Sequence, residues 1–264
     1  MDLKPRRIVL CADDFGANGP ASRAIIDLAR TGAISATSVL VHAPYAASYI
    51  GLLTANAPQL SIGLHLDLTE FAPAAIRSSL HRWLTRGFLL RRVHQGSVLT
   101  EIRSQLDRFE KLLDAAPAFV DGHCHVHQIP GIREPLMQEL SRRYGTTVAI
   151  RSTRSSLPAN LKARFIQELG GRALHALITQ SGMRCNGDFA GAYDFKTTPG
   201  YGSLMQRWLE KLHDGGMIMC HPELPERSEA PRNAREQEYC YLASAAWREL
   251  RLRSNVTLQA FTGT

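Results

Sequence analysis

The sequence predicts an α/β fold in a single domain, most simply a (β/α) barrel, regular or distorted, with a mainly parallel sheet. Three observations carry this. Strand-like and helix-like stretches alternate about seven times over 264 residues, the pattern of repeated βα units. No low-complexity linker and no fixed-period repeat divides the chain. Polar, chemistry-bearing residues recur at predicted C-terminal strand ends, where parallel α/β folds place their sites. A doubly wound sheet is the alternative architecture.

The elements follow in order. Residues 7–12 are a short apolar run bounded by charge, a buried strand. Asp13-Asp14-Phe15-Gly16 follows as an acidic loop. Asn18-Gly19-Pro20 then supplies a cap with proline near the first helical position, and 21–30 carries apolar residues at helical spacing up to Gly32. A second strand is expected at 36–41 and a second helix at 44–53. Residues 62–68 alternate apolar and polar, a strand with Gly63, His65 and Asp67 on one side. The stretch 72–96 is irregular and arginine-rich, and it reads as a basic insertion over one end of the fold. An amphipathic helix over 98–113 follows Ser97. Next come the strand that enters Asp121-Gly122-His123-Cys124-His125-Val126-His127, a helix over 131–144 closed by Gly145, and a β-branched strand over 146–151. Residues 161–181 read as helix, 182–194 as loop, 202–213 as helix and 217–220 as a buried strand delivering His221. A polar loop at 225–235, a helix at 236–252 and a last strand at 256–261 complete the chain.

Apolar content of 44% and charged content of 21% are those of an ordinary globular chain. No run approaches the roughly 18 apolar residues of a membrane span. The basic N-terminus is followed by too short an apolar stretch for a signal peptide, so a cytoplasmic protein is expected. The five cysteines are scattered without C-x-x-C spacing, which argues against a disulfide framework or a thiolate zinc site. Net charge is +7 with a pI near 9.4. The excess is concentrated at 77–92 and 142–164, without interleaved aromatics or a nucleic-acid motif. No nucleic-acid partner is expected. Solvated faces or an anionic feature of a substrate account for the charge.

In an extended strand Asp121, His123, His125 and His127 project to one face. Imidazole is the commonest neutral metal ligand. Together with Asp13-Asp14, His65 and His221, all at predicted strand ends or on inward strand faces, this set surrounds one rim of a parallel barrel. Two or three imidazoles plus a carboxylate, with positions open for water and substrate, are the ligands of a hydrolytic metal site. Asp14-Phe15-Gly16 also spells a kinase triplet, but only thirteen residues precede it, too few for the other kinase motifs. Gly16 lacks a phosphate-loop context as well.

Four segments, taken in order, resemble the YdjC-like carbohydrate deacetylase family, which includes chitooligosaccharide deacetylases and hopanoid-associated deacetylases. They are Ala12-Asp13-Asp14-Phe15-Gly16, Gly63-Leu64-His65, the stretch Asp121 to Pro130, and Met219-Cys220-His221-Pro222. The resemblance covers nearly the whole chain. It implies a (β/α) barrel of the glycoside hydrolase/deacetylase type, one divalent metal ion, and removal of acetyl from an N-acetylated amino sugar. Carried over by residue, it puts the metal ligands at Asp14, His65 and His123, the general base at Asp13 and the general acid at His221. His125 and His127 match its motif with open roles, in support of the ligands, in substrate contact or as a proton shuttle, and we add Arg151 as a residue that supports the site or contacts substrate. The residues alone do not choose His123 over its neighbours. Zinc is favoured by the imidazoles, magnesium by the resemblance.

Two rival readings stand beside this one: another metallohydrolase, such as a phosphoesterase, and a metal-binding barrel without catalysis. The segments 77–103 and 151–194 carry no family signature and are expected to shape the substrate pocket. A homodimer is the default expectation for a chain of this size.

Overall fold

The computed structural model describes residues 4–156, 161–196, 198, 200–225, 233–261 and 263. Its strands are β1 (Arg6–Phe15), β2 (Ala36–Val39), β3 (Ser61–Leu66), β4 (Phe119–Gly122), β5 (Ala149–Ile150), β6 (Phe189–Ala190), β7 (Met217–Cys220) and β8 (Val256–Leu258). All pair in parallel, in the order β5-β4-β3-β2-β1-β7-β6. The two ends of this row approach each other. Ile150 of β5 bridges Cys185, and the chain enters β6 four residues later. The result is a distorted barrel, irregular where β5 and β6 are only two residues long. β8 pairs with Arg6–Ile8 at the entry of β1.

Strand parity sorts the core. Along β1, Ile8, Leu10 and Ala12 belong to the large cluster shared with the helices, while Val9 and Cys11 belong to a smaller one. That smaller cluster joins Ala36, Phe119, Ala149 and Met217 inside the barrel, and Phe261, after β8, packs its ring at a tilt against Phe119, centroids 4.8 Å apart. Gly63 is required here, because a Cβ on it would meet the Phe119 ring at 2.6 Å.

The helices flank the strands. Helix α1 (Gly19–Arg30) starts at Asn18, whose side chain accepts the Ala21 N–H, with Pro20 in the first turn, as the sequence predicts. α2 is Ala46–Asn56, and α3 is Leu80–Leu84, continued by π-helical turns over Thr85–Leu90. The stretch 72–96 is thus partly helical, anchored by buried Trp83, which donates to the Leu68 carbonyl at 2.9 Å. α4 (Gln95–Leu113) begins earlier than expected because His94 caps it, accepting the Ser97 N–H. α5 is Arg133–Tyr144, α6 Leu161–Ile166, α7 Arg172–Gln180 and α8 Tyr201–Lys211. The single helix expected at 236–252 is two, α9 (Ala234–Leu242) and α10 (Ala245–Arg253). Ser244 adopts an extended conformation between them, and Trp247 turns inward to donate to the Ala33 carbonyl. Among the described residues no helix is long and apolar enough to cross a membrane.

Candidate metal centre and active site

The inward positions one layer above the apolar cluster are polar on strand after strand. Asp13 follows Cys11, Ser38 follows Ala36, His65 follows Gly63, Asp121 follows Phe119, and Arg151 follows Ala149, each two residues on. Period-2 alternation puts all five inside, and they close a ring. Ser38 Oγ lies 3.4 Å from Asp13 Oδ1 and 3.0 Å from His65 Nδ1. His65 Nδ1 lies 2.6 Å from Asp121 Oδ1, and Arg151 pairs with Asp121 Oδ2 at 2.6 Å. Arg151 returns to both oxygens of Asp13 at 2.6 Å. All five are buried. Charges so deep are tolerable only when paired, and here one guanidinium pairs with two carboxylates, one of which also faces His65.

The strand reading of the histidine stretch is corrected by the structure. β4 stops at Gly122, and His123–Gln128 forms 3₁₀ turns with Cys124 and His125 both at positive φ. His123, His125 and His127 therefore do not share a strand face. The turn packs tightly: a Cβ on Gly122 would meet His127 N and Nδ1 at 2.9 Å. His127 is wholly buried and bonds the Arg151 carbonyl through Nε2 at 3.1 Å. Burial holds its pKa down to about 4. His125 lines the pocket with a buried, unpartnered Nδ1.

A second local departure aims Asp14. Adjacent strand residues point to opposite faces, yet Asp13 and Asp14 both reach the site. The β1–β2 register shifts between Ala12 and Phe15, and Asp14 has φ +67. This bulge re-aims a side chain in the way bulges near sites do, and aspartate is among the few residues that visit the left-handed region readily. Asp14 Oδ1 thereby sits 2.9 Å from His123 Nδ1 and 3.4 Å from His65 Nε2. Donor atoms of Asp14, His65 and His123 all lie within 4.8 Å of one another.

This donor set fits a divalent metal. Asp121 and Ser38 engage His65 Nδ1, which leaves Nε2 facing Asp14, the carboxylate–histidine support usual for a metal-binding imidazole. Glu70 Oε2 engages His123 Nε2 at 3.2 Å and so frees Nδ1. Glu70 is presented by a turn in which Asp67 accepts the N–H groups of Thr69, Glu70, Phe71 and Ala72. Electrostatics agree. Burial opposes a charged His65, yet Asp121 and Asp14 push its pKa up to about 10. His123, opposed by burial in the same way, is pushed up to about 11, chiefly by its bond to Asp14. Burial would raise the Asp14 carboxyl, but the bonds from His123 and His65 hold it well below the usual range. The site favours positive charge, and Asp14, His65 and His123 are placed where they could hold a metal ion.

His221, just after β7, completes the rim. Its backbone N–H donates to Glu238, its Nε2 is 3.9 Å from Asp13 Oδ2, and Phe195 packs edge-on at 5.3 Å. Burial lowers its pKa to about 4, so the ring is neutral at pH 7, with Nδ1 buried and unpartnered. Asp13 stays ionised, because Arg151 outweighs the burial that would raise its carboxyl. A pocket of about 380 Å³ opens on Asp13, Asp14, His65, His123, His125 and His221. Its wall is mostly apolar, with Leu80 and Leu84 of the 72–96 stretch, Phe165, Ile166, Leu169, Phe195 and Met219. Arg151 is not among its lining residues and bonds both oxygens of Asp13 from behind. Sequence reasoning missed Ser38, Glu70 and Arg235, whose guanidinium meets Asp14 Oδ2 at 3.1 Å. Parity in β2 signals Ser38, whereas nothing in the sequence marks the other two.

Residues 7–252 match the family described as YdjC-like protein. A carbohydrate deacetylase of Geobacillus stearothermophilus is 30% identical over 161 residues, 60% of this chain and 64% of that one. A carbohydrate deacetylase of Danio rerio is 35% identical over 51% of this chain and 46% of its own. The chain thus aligns with less than two thirds of either relative. A chitooligosaccharide deacetylase of Yersinia pestis is 25% identical over 89% and 86%. Among solved structures, a protein of Enterococcus faecalis V583 described as a cellobiose-phosphate cleavage protein superposes with TM-score 0.71 at 19% identity, over 97% of this chain and 98% of that one. An uncharacterized protein of Agrobacterium tumefaciens C58 superposes with TM-score 0.55 at 10% identity, over 99% and 90%. These two likenesses concern the fold.

Proposed function

We propose that this chain, which belongs to the YdjC-like family, is a metal-dependent hydrolase that removes acetyl from an N-acetylated amino sugar and releases acetate. The observation that carries the reading is the meeting of Asp14, His65 and His123 within 4.8 Å, in one pocket with Asp13 and His221. The names of the relatives supply the substrate class.

Asp14, His65 and His123 would hold the ion. Two imidazoles and one carboxylate favour zinc or a similar transition metal, and magnesium is the alternative. When bound, such an ion supplies Lewis-acid polarisation and a water of lowered pKa. Asp13 is the acceptor for the proton of the attacking water. It is ionised, its orientation is fixed by two bonds from Arg151, and it is a weak base for the same reason. A proton does not rest on such a base. His221, neutral and 3.9 Å away, is the next acceptor. Protonated in this way, His221 delivers the proton to the departing amine, the general-acid step that amide cleavage needs. His125 lines the pocket where a substrate would sit, and the apolar wall excludes water.

The test is acetate release from a panel of N-acetylated sugars, with and without chelator and with added Zn²⁺ or Mg²⁺, beside a panel of phosphate esters. We expect acetate release that chelation abolishes. Asp14→Ala should lose both metal and activity, by at least about a thousandfold in rate if metal and oxyanion stabilisation are lost together. Metal content and activity retained in that variant, or turnover of phosphate esters alone, sinks the reading.

A further inference from the structure

The ring and the proton path leave one charged group of the pocket without a part. Arg235 stands in the first turn of α9. Its backbone is pinned from both sides: its carbonyl accepts the Glu223 N–H at 3.1 Å, and Asn233 caps the helix by accepting the Glu236 N–H at 3.0 Å. The side chain crosses to the pocket, where its guanidinium lies 3.1 Å from Asp14 Oδ2 and 6.0 Å from the centre of the Phe195 ring. Among the described residues lining the pocket it is the one arginine, and none is lysine.

The two oxygens of Asp14 are therefore divided. Oδ1 faces His123 Nδ1 and His65 Nε2, whereas Oδ2 faces the guanidinium. We propose that Arg235 is a positioning residue that restricts Asp14 to coordination through Oδ1, and that it weakens the site's hold on the ion while leaving that ion more electrophilic. The inference rests on the reading of Asp14, His65 and His123 as the metal ligands. A carboxylate with both oxygens free can grip a cation with both. One whose second oxygen is engaged by a permanently charged, planar guanidinium offers a single, poorer donor. The same positive charge repels a divalent ion a few ångströms away. The opposite arrangement stands behind His65, where the Asp121 carboxylate strengthens the imidazole as a donor. The site thus pushes electron density toward the ion on one side and withdraws it on the other.

A purely structural Arg235, holding the Asp14 rotamer and nothing more, predicts the opposite sign. Removing it would loosen Asp14 and weaken metal binding. The experiment is direct titration of the full chain with Zn²⁺ against a chromophoric chelator at fixed pH, for wild type, Arg235→Met, Arg235→Gln and Arg235→Lys. Thermal unfolding of each metal-free variant accompanies the titration. We expect the two neutral variants to bind Zn²⁺ about tenfold more tightly, the scale of removing one charge near a divalent ion in a solvated pocket. The lysine variant, which keeps the charge, should stay near wild type. In acetate release, kcat should fall in the neutral variants with little change in KM. Binding that is unchanged or weaker in both neutral variants overturns the assignment of Arg235 and leaves the ligand set standing. A wild-type chain that takes up no Zn²⁺ overturns both.

Discussion

The barrel interior has two layers built by the same strands on the same inward face, and they are chemical opposites. The lower holds Val9, Cys11, Ala36, Phe119, Ala149 and Met217 under Phe261. The upper, one pleat further along, holds Asp13, Ser38, His65, Asp121 and Arg151. The lower layer is self-sufficient: apolar surface leaves water, and packing decides its contribution. The upper layer is not. Each of its charges is costly to bury, and the closed ring is what makes the layer tolerable. A layer of that kind is weak evidence for stability and good evidence for chemistry. The contrast teaches that the fold separates its two tasks by a single step of strand register rather than by domain or by element.

The contrast can be broken most forcefully at Arg151. Arg151→Met removes the guanidinium that pairs with both Asp13 and Asp121. Removing that partner from two buried carboxylates should cost about 3–5 kcal/mol in urea unfolding, together with most of the acetate release. A variant as stable as wild type at pH 7 would show that the ring is not held together by that charge. One layer down, Phe119→Ala opens a cavity against Gly63 and Phe261. It should cost about 3–5 kcal/mol as well, with Zn²⁺ affinity of the folded protein unchanged. If metal affinity fell in step with stability, the two layers would not be separable.

The smallest effect sharpens the boundary beneath His221. Glu238 is buried, and burial raises its pKa to about 7 despite the bonds from Tyr193 and the His221 N–H. In the unfolded chain this group titrates near 4.5. Between those values the folded state binds more protons than the unfolded one, so stability falls as pH rises from about 4.5 to about 7. The loss should be on the order of 1–3 kcal/mol. Glu238→Gln should flatten this dependence when unfolding midpoints are compared at pH 5 and pH 8. An unchanged slope would place the titration elsewhere.

Much of this was legible in the sequence because strand alternation is a local rule. Gly63-Leu64-His65 states its own facing, and the capping of α1 can be read from Asn18 and Pro20 directly. The histidine stretch misled for an equally physical reason. The i, i+2 spacing of its histidines is that of a strand, but the chain turns left-handed at two consecutive residues, Cys124 and His125, and neither residue type announces that. The two-residue strand β6 was too short to leave a pattern. Ser38 carries too ordinary a side chain to stand out until the ring around it is seen.

Residue order was enough for the parallel α/β architecture, the facing of His65, and the set of ionisable residues from which a site had to be drawn, whereas the strand runs on through Asp13, which the sequence reads as loop. Apolar periodicity and residue chemistry are properties of short segments, so they survive without coordinates. Tertiary structure alone decided that Asp14 turns to join Asp13, that His123 and not His125 or His127 faces it, that Arg151 closes a buried ring, and that Arg235 reaches Asp14 from 221 residues away. Those outcomes depend on backbone bulges and on long-range charge pairing, in which the free energy of each group is set by partners that the sequence places far from it.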